Sequence, residues 1–192
     1  LKIIISDLQG NPVSIEENNQ THIVNTYDAA GRLTGADTDG YTVNISYDRR
    51  GNKIGMTDPS MGTWTYVYNA FGELVEQRDA QANTLSLSYD VLGRQTERIE
   101  TGSGTTISSQ WVYDTGQGGI GKLAKEKNPW SEKTYTYDQY GRVSQVSHLI
   151  SGQTAPFNTA YQYDSFGRVS NIEYPSGLKV RKQYELNGRI KQ

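Results

Sequence analysis

Tyr137-Asp138-Gln139-Tyr140-Gly141-Arg142-Val143 and Tyr163-Asp164-Ser165-Phe166-Gly167-Arg168-Val169 are two copies of one pattern, and that pattern decides the fold. Aligned on tyrosine, acid, two variable residues and glycine, further copies open at Tyr27-Asp28 (closing at Gly31), Tyr47-Asp48 (Gly51), Tyr68-Asn69 (Gly72), Tyr89-Asp90 (Gly93) and Tyr184-Glu185 (Gly188). A longer copy opens at Tyr113-Asp114 and closes at Gly121-Lys122-Leu123. A degenerate ninth, Ser6-Asp7-Leu8-Gln9-Gly10-Asn11, starts 21 residues before Tyr27. Successive motif tyrosines stand 20, 21, 21, 24, 24, 26 and 21 residues apart. They account for eight of the 14 tyrosines in a chain with only three phenylalanines, so the repeat explains the composition.

Working outward from the motif, each copy reads as a hairpin. The residues before it alternate as a half-buried strand does: Trp64, Tyr66 and Tyr68 share one face, as do Tyr41, Val43, Ile45 and Tyr47. Thr42, Asn44, Ser46, Ser86, Ser88, Thr134 and Thr136 fall on the other. The acid can accept bonds from backbone N–H groups two residues on, and the glycine supplies the positive φ at which a turn meets its returning strand through a bulge. The connections on the opposite side, such as Asp58-Pro59-Ser60-Met61-Gly62 and Ser151-Gly152-Gln153-Thr154-Ala155-Pro156, are expected to be looser. Paired repeats could make propeller blades, but odd and even copies do not alternate, and a tight reversal in every copy disfavours a parallel β-helix. The expected fold is all-β: about nine tandem antiparallel hairpins in one array over residues 1–192, forming a strip curled by its turns. At 192 residues the chain is long enough for a sizeable core, and stacking of the motif tyrosines along the sheet is the expected source of stability.

The start at Leu1 and the finish at Lys191-Gln192 read as cuts through a longer protein. The net charge of −2, with interspersed signs, gives no reason to expect nucleic acid or an anionic membrane as partner. No cysteine is present, which excludes disulfides and cysteine-ligated zinc. No apolar run approaches the ~20 residues of a spanning helix.

The recurring Tyr-Asp-x-x-Gly-Arg core, preceded by Trp/Tyr-x-Tyr strands, resembles the Rhs repeat, also called the YD repeat, from Ser6 to Gln192. That resemblance implies a strip spiralling into a hollow shell, as in bacterial Rhs polymorphic toxins and the cocoons of insecticidal toxin complexes; animal teneurins carry a related barrel. In the bacterial members the shell encloses a variable C-terminal toxin, released by an aspartyl autoprotease in a segment after the repeats. The implied role is structural: a shell segment, secreted or on the cell surface, whose partners are the rest of its own shell and the enclosed toxin. A second reading is a carbohydrate-binding or adhesion segment, with exposed aromatics stacking on glycans. An isolated strip is also expected to self-associate through its edges. Asp58-Pro59 followed by Gly62 echoes the autoprotease segment loosely and better fits an inter-strand turn.

Residues with catalytic potential are few. His22 and His148 are the only histidines, and no local motif supports a Ser-His-Asp triad or a zinc site. Asp7, Asp28, Asp48, Asp90, Asp114, Asp138 and Asp164 are taken up by turns rather than by acid pairs for glycoside hydrolysis. Asp37-Thr38-Asp39-Gly40 lacks the remaining ligands of a calcium loop, and no phosphate- or dinucleotide-binding fingerprint appears. Asn19-Gln20-Thr21 and Asn44-Ile45-Ser46 match glycosylation sequons. No enzyme, cofactor or metal is expected.

Overall fold

The computed structural model describes residues 1–18 and 21–191, so the Asn19-Gln20-Thr21 sequon begins outside the described residues. The described residues form seventeen β-strands and no helix. They divide into two compact units, Leu1–Leu87 with Ile99–Thr106, and Ser88–Arg98 with Ile107 onward.

The first unit contains β1 (Lys2–Ser6), β2 (Pro12–Glu17), β3 (Thr21–Tyr27), β4 (Leu33–Thr38), β5 (Tyr41–Tyr47), β6 (Lys53–Asp58), β7 (Gly62–Tyr68), β8 (Leu74–Arg78) and the start of β9 (Thr84–Tyr89). Each pairs antiparallel with the next. β10 (Gln95–Gly102) and β11 (Thr105–Tyr113) have residues in both units. The second unit continues through β12 (Leu123–Lys127), β13 (Ser131–Tyr137), β14 (Val143–Ile150), β15 (Phe157–Tyr163), β16 (Val169–Glu173) and β17 (Lys179–Arg181), again each antiparallel to the next. It ends on a bridge between Tyr184 and Ile190. The all-β class and the order of tandem hairpins expected from the sequence are what the chain adopts.

Local sequence accounts for the strands. In β7, Trp64, Tyr66 and Tyr68 are half-buried while Thr63, Thr65 and Val67 are exposed, the period of two that the residues dictate. At the end of β3, β5, β7, β11, β13 and β15 the register shifts by one at the motif tyrosine, which lies opposite the second residue after the motif glycine: Tyr27 faces Leu33 and Tyr137 faces Val143. That shift is the bulge the positive-φ glycine permits, and a bulge sharpens the local right-handed twist.

Two expectations are corrected. The sizeable core does not form: among the described residues the one buried hydrophobic side chain is Ala124, 5% exposed. Within each unit a strand touches only its neighbours in sequence, so no second layer lies against the sheet to make an interior. Nor are all connections opposite the motif turns loose. Asp39-Gly40 is a two-residue hairpin loop with both φ angles positive, closed by the pairing of Thr38 with Tyr41. Asp79–Asn83 and Tyr174–Leu178 carry the same pair of backbone bonds as the motif turns. In the former, Ala82 takes the glycine position at φ +64°.

Candidate functional site: the hairpin tips

The tip that opens at Asp28 shows how the motif works. Asp28 N donates to the Arg32 carbonyl and Gly31 N to the Asp28 carbonyl, both at 2.9 Å. The Asp28 carboxylate fills the space inside the turn: Oδ1 accepts from Ala30 N at 2.9 Å and Arg32 N at 3.0 Å. Oδ2 receives Nε and Nη2 of the Arg32 guanidinium, each at 2.6 Å. The same set recurs at Asp90 with Arg94, Asp138 with Arg142 and Asp164 with Arg168. Asp7 and Asp48 bind asparagine amides, from Asn11 and Asn52, in place of a guanidinium. The Asn69 tip inverts the arrangement, its amide donating to Glu73 Oε2 at 2.6 Å.

Such carboxylates are stabilised in their charged form. The hydrogen bond from the Arg32 side chain, then that from the Arg32 backbone amide, holds Asp28 below the usual aspartate range. The Asn11 and Asn52 amides do the same for Asp7 and Asp48.

Four motif arginines also reach forward. Arg32 lies 4.8 Å from the ring centroid of Tyr47, Arg94 4.4 Å from Tyr113, Arg142 4.2 Å from Tyr163 and Arg168 4.3 Å from Tyr184. The guanidinium of the preceding hairpin therefore lies over these four motif rings, a contact not among those expected from the sequence. Arg32 Nη1 further donates to the Asp48 carbonyl at 3.2 Å, and a Cβ on Gly51 would stand 3.3 Å from that nitrogen. Glycine at the tip therefore leaves room for the incoming cation as well as supplying its φ of +94°. Arg142 and Arg168 each also lie near a second ring, Tyr140 at 4.8 Å and Phe166 at 4.9 Å.

The tyrosine hydroxyls make a second tie between hairpins. Tyr27 donates to the Pro12 carbonyl, Tyr113 to Gln95, Tyr137 to Leu123, Tyr163 to Val143 and Tyr184 to Val169, at 2.6–3.1 Å. Burial raises the hydroxyl pKa of Tyr137 and Tyr163, so these donors stay protonated. The eight motif tyrosines are all half-buried, and Gly31, Gly51, Gly72, Gly93, Gly121, Gly141, Gly167 and Gly188 all have positive φ.

The long copy departs from the rest. Asp114 takes φ +64°, accepts from Gly121 N at 2.6 Å and pairs with Arg94 of the preceding tip. The loop it opens lies over the next turn, where a Cβ on Gly118 would collide with the Asp138 carbonyl oxygen.

The remaining chemistry is sparse. Ser14 Oγ lies 3.2 Å from His22 Nε2 at the surface, but among the described residues no hydrogen bond joins that ring to a carboxylate. No group of three or more histidine, aspartate or glutamate side chains among them could hold a metal ion. No helix among them is long and apolar enough to cross a membrane, which says nothing of a β-barrel.

Repeated antiparallel hairpins clipped tip to tip define a hairpin-repeat protein, and comparison with known proteins gives the family. The RHS Repeat family matches residues 27–60 and 62–106, and the same motif continues from Tyr113 to Ile190. The chain is an Rhs/YD-repeat protein. Its fold is shared with solved toxin-complex structures at low sequence identity. The complex of TcdB2-TccC3 with Cdc42 and that of TcdB2-TccC3 alone each align with a TM-score of 0.75 and 13% identity over 98% of this chain. The Tc holotoxin pore of Photorhabdus luminescens aligns at 0.73 and 13% over the same share. This chain spans 11–12% of the length of those chains. No curated protein matches it in sequence.

Proposed function

We propose that the chain is an array of about nine hairpins forming one stretch of wall in a longer Rhs/YD-repeat toxin, secreted or displayed at the cell surface. The wall has no catalytic role of its own. It sequesters a C-terminal effector sterically, in contact with the rest of its own shell. The Tyr, Asp and Gly residues of the motif are its structural residues, from Tyr27, Asp28 and Gly31 to Tyr184 and Gly188. The observation that carries this reading is the tip arrangement. Successive hairpins are joined by strand pairing, and the hairpins ending in Tyr113, Tyr163 and Tyr184 are tied to the preceding one by both a tyrosine hydroxyl and a guanidinium, so a sheet without a core is cross-tied at its tips. A barrier needs that continuity; a catalyst would need a cleft with converging polar groups. The likeness to the TcdB2-TccC3 fold supports a shell of the same kind.

Limited proteolysis of the full-length parent, read by mass spectrometry, tests the proposal. A C-terminal segment that survives only while the repeats are intact supports encapsulation. Its immediate digestion, or the absence of such a segment, refutes it.

A further inference from the structure

Four motif arginines of this chain reach the same destination, the face of the next motif tyrosine. At the copy that opens at Tyr47 the base is replaced by Asn52. Its amide is too short to leave its own turn and ends on Asp48 Oδ2 at 2.9 Å. Among the described residues no cation lies over the ring of Tyr68, the next motif tyrosine. The chain has a cavity of about 420 Å3 at this place, lined by Asp48, Arg50, Asn52, Tyr66 and Tyr68 among others. Arg50 crosses the rim to the next tip, Nη1 donating to the Ala70 carbonyl at 2.7 Å. Lys53 lies over Tyr66, 5.0 Å from its centroid.

We propose that this cavity is a binding slot for a guanidinium group, presented as an arginine side chain by another polypeptide segment. The chain itself supplies the template: at Tyr47, Tyr113, Tyr163 and Tyr184 the equivalent ring and turn hold a guanidinium in this place. The slot offers the negative face of the Tyr68 ring and, at its edge, the Asp48 carboxylate. Arg50 and Lys53 are offset locally by Asp48 and by Glu73, which the Asn69 amide holds at the adjoining tip. Net attraction for any cation is therefore small, and selection rests on shape. A planar fork can lie on a ring while pointing an N–H edge at a carboxylate; a lysine ammonium has no such plane.

The test is an NMR titration of the whole chain, following the Tyr66 and Tyr68 ring resonances at constant ionic strength. The probes are N-acetyl-arginine amide and N-acetyl-lysine amide. The arginine compound is expected to shift both rings saturably, and the lysine compound several-fold more weakly. Asn52→Arg restores the side chain found at position 32 and should abolish the response by filling the slot from within. Tyr68→Leu should abolish it by removing the platform, with unchanged circular dichroism showing that the strands persist. A shift that does not saturate, one that survives Asn52→Arg, or equal responses to the two compounds would overturn the assignment.

Discussion

Ala82→Gly should stabilise the protein, against the usual direction of such a change. Ala82 sits at φ +64° in the Asp79–Asn83 turn, with Asp79 N donating to the Asn83 carbonyl at 3.0 Å and Ala82 N to the Asp79 carbonyl at 3.1 Å. Every motif turn with these bonds carries glycine at this position. An L-residue in the left-handed region costs roughly 1–2 kcal/mol. Glycine removes that strain but adds about 0.5–1 kcal/mol of unfolded-chain entropy. Ala82 is exposed, so its methyl group contributes little packing. The net expectation is a gain of about 0.5–1 kcal/mol, or roughly 1–4 °C in Tm for a chain of this size. Urea and thermal unfolding would measure it, with amide exchange around residues 79–83 registering the gain if hairpins open singly. Gly10→Ala is the reverse experiment: φ is +89° and nothing lies within 4 Å of the added methyl group, so the loss is backbone strain alone. Ala82→Gly with unchanged or lowered stability would refute the reasoning.

Three further outcomes are expected. Tyr163→Phe keeps the ring but removes the 2.7 Å bond to the Val143 carbonyl, and should destabilise by about 1 kcal/mol in a denaturant melt. Arg142→Lys keeps the charge but loses the fork on Asp138 and the plane near Tyr140 and Tyr163, and should move the ring resonances of both tyrosines. Stability should also fall in acid. The folded pKa values of Asp7, Asp28, Asp48 and Asp90 lie below their unfolded value. Their contribution is therefore complete well above about pH 4 and is lost as pH falls through the folded values. The amides of Ala30 and Arg50, which donate to carboxylates, should titrate there, whereas Phe71 N, which donates to the Asn69 amide oxygen, should not.

The hairpins were legible because each rests on local chemistry. Alternation in Trp64–Tyr68, an acid able to cap its own turn and a glycine for the bulge are all readable within seven residues. The same logic hid the guanidinium ladder. Arg32 and Tyr47 are 15 positions apart, and their meeting depends on how far one hairpin stands from the next. Asn52 in place of arginine was the available signal for the cavity beside Tyr68, but it acquires meaning only once the arginines are seen to reach forward. The expected core failed for a different reason. Composition gives the apolar side chains but not the number of layers, and a single sheet leaves most of them half-wet. The turn at Asp79 carries no such sequence mark, because alanine stands where glycine marks the others.

The ladder has a direction. Arg32, Arg94, Arg142 and Arg168 each hold their own acid and cover the tyrosine that follows, while the hydroxyls of Tyr27, Tyr113, Tyr137, Tyr163 and Tyr184 point back to the hairpin before. A break between two such hairpins exposes a guanidinium on the upstream piece and an aromatic face on the downstream one. Unlike faces can rejoin in one sense only. A sheet built this way has polarity, as a filament of identical subunits has, and an inverted hairpin would meet cation with cation or ring with ring. Hydrogen bonding between antiparallel strands is indifferent to which hairpin comes next; the side chains at the tips supply the order.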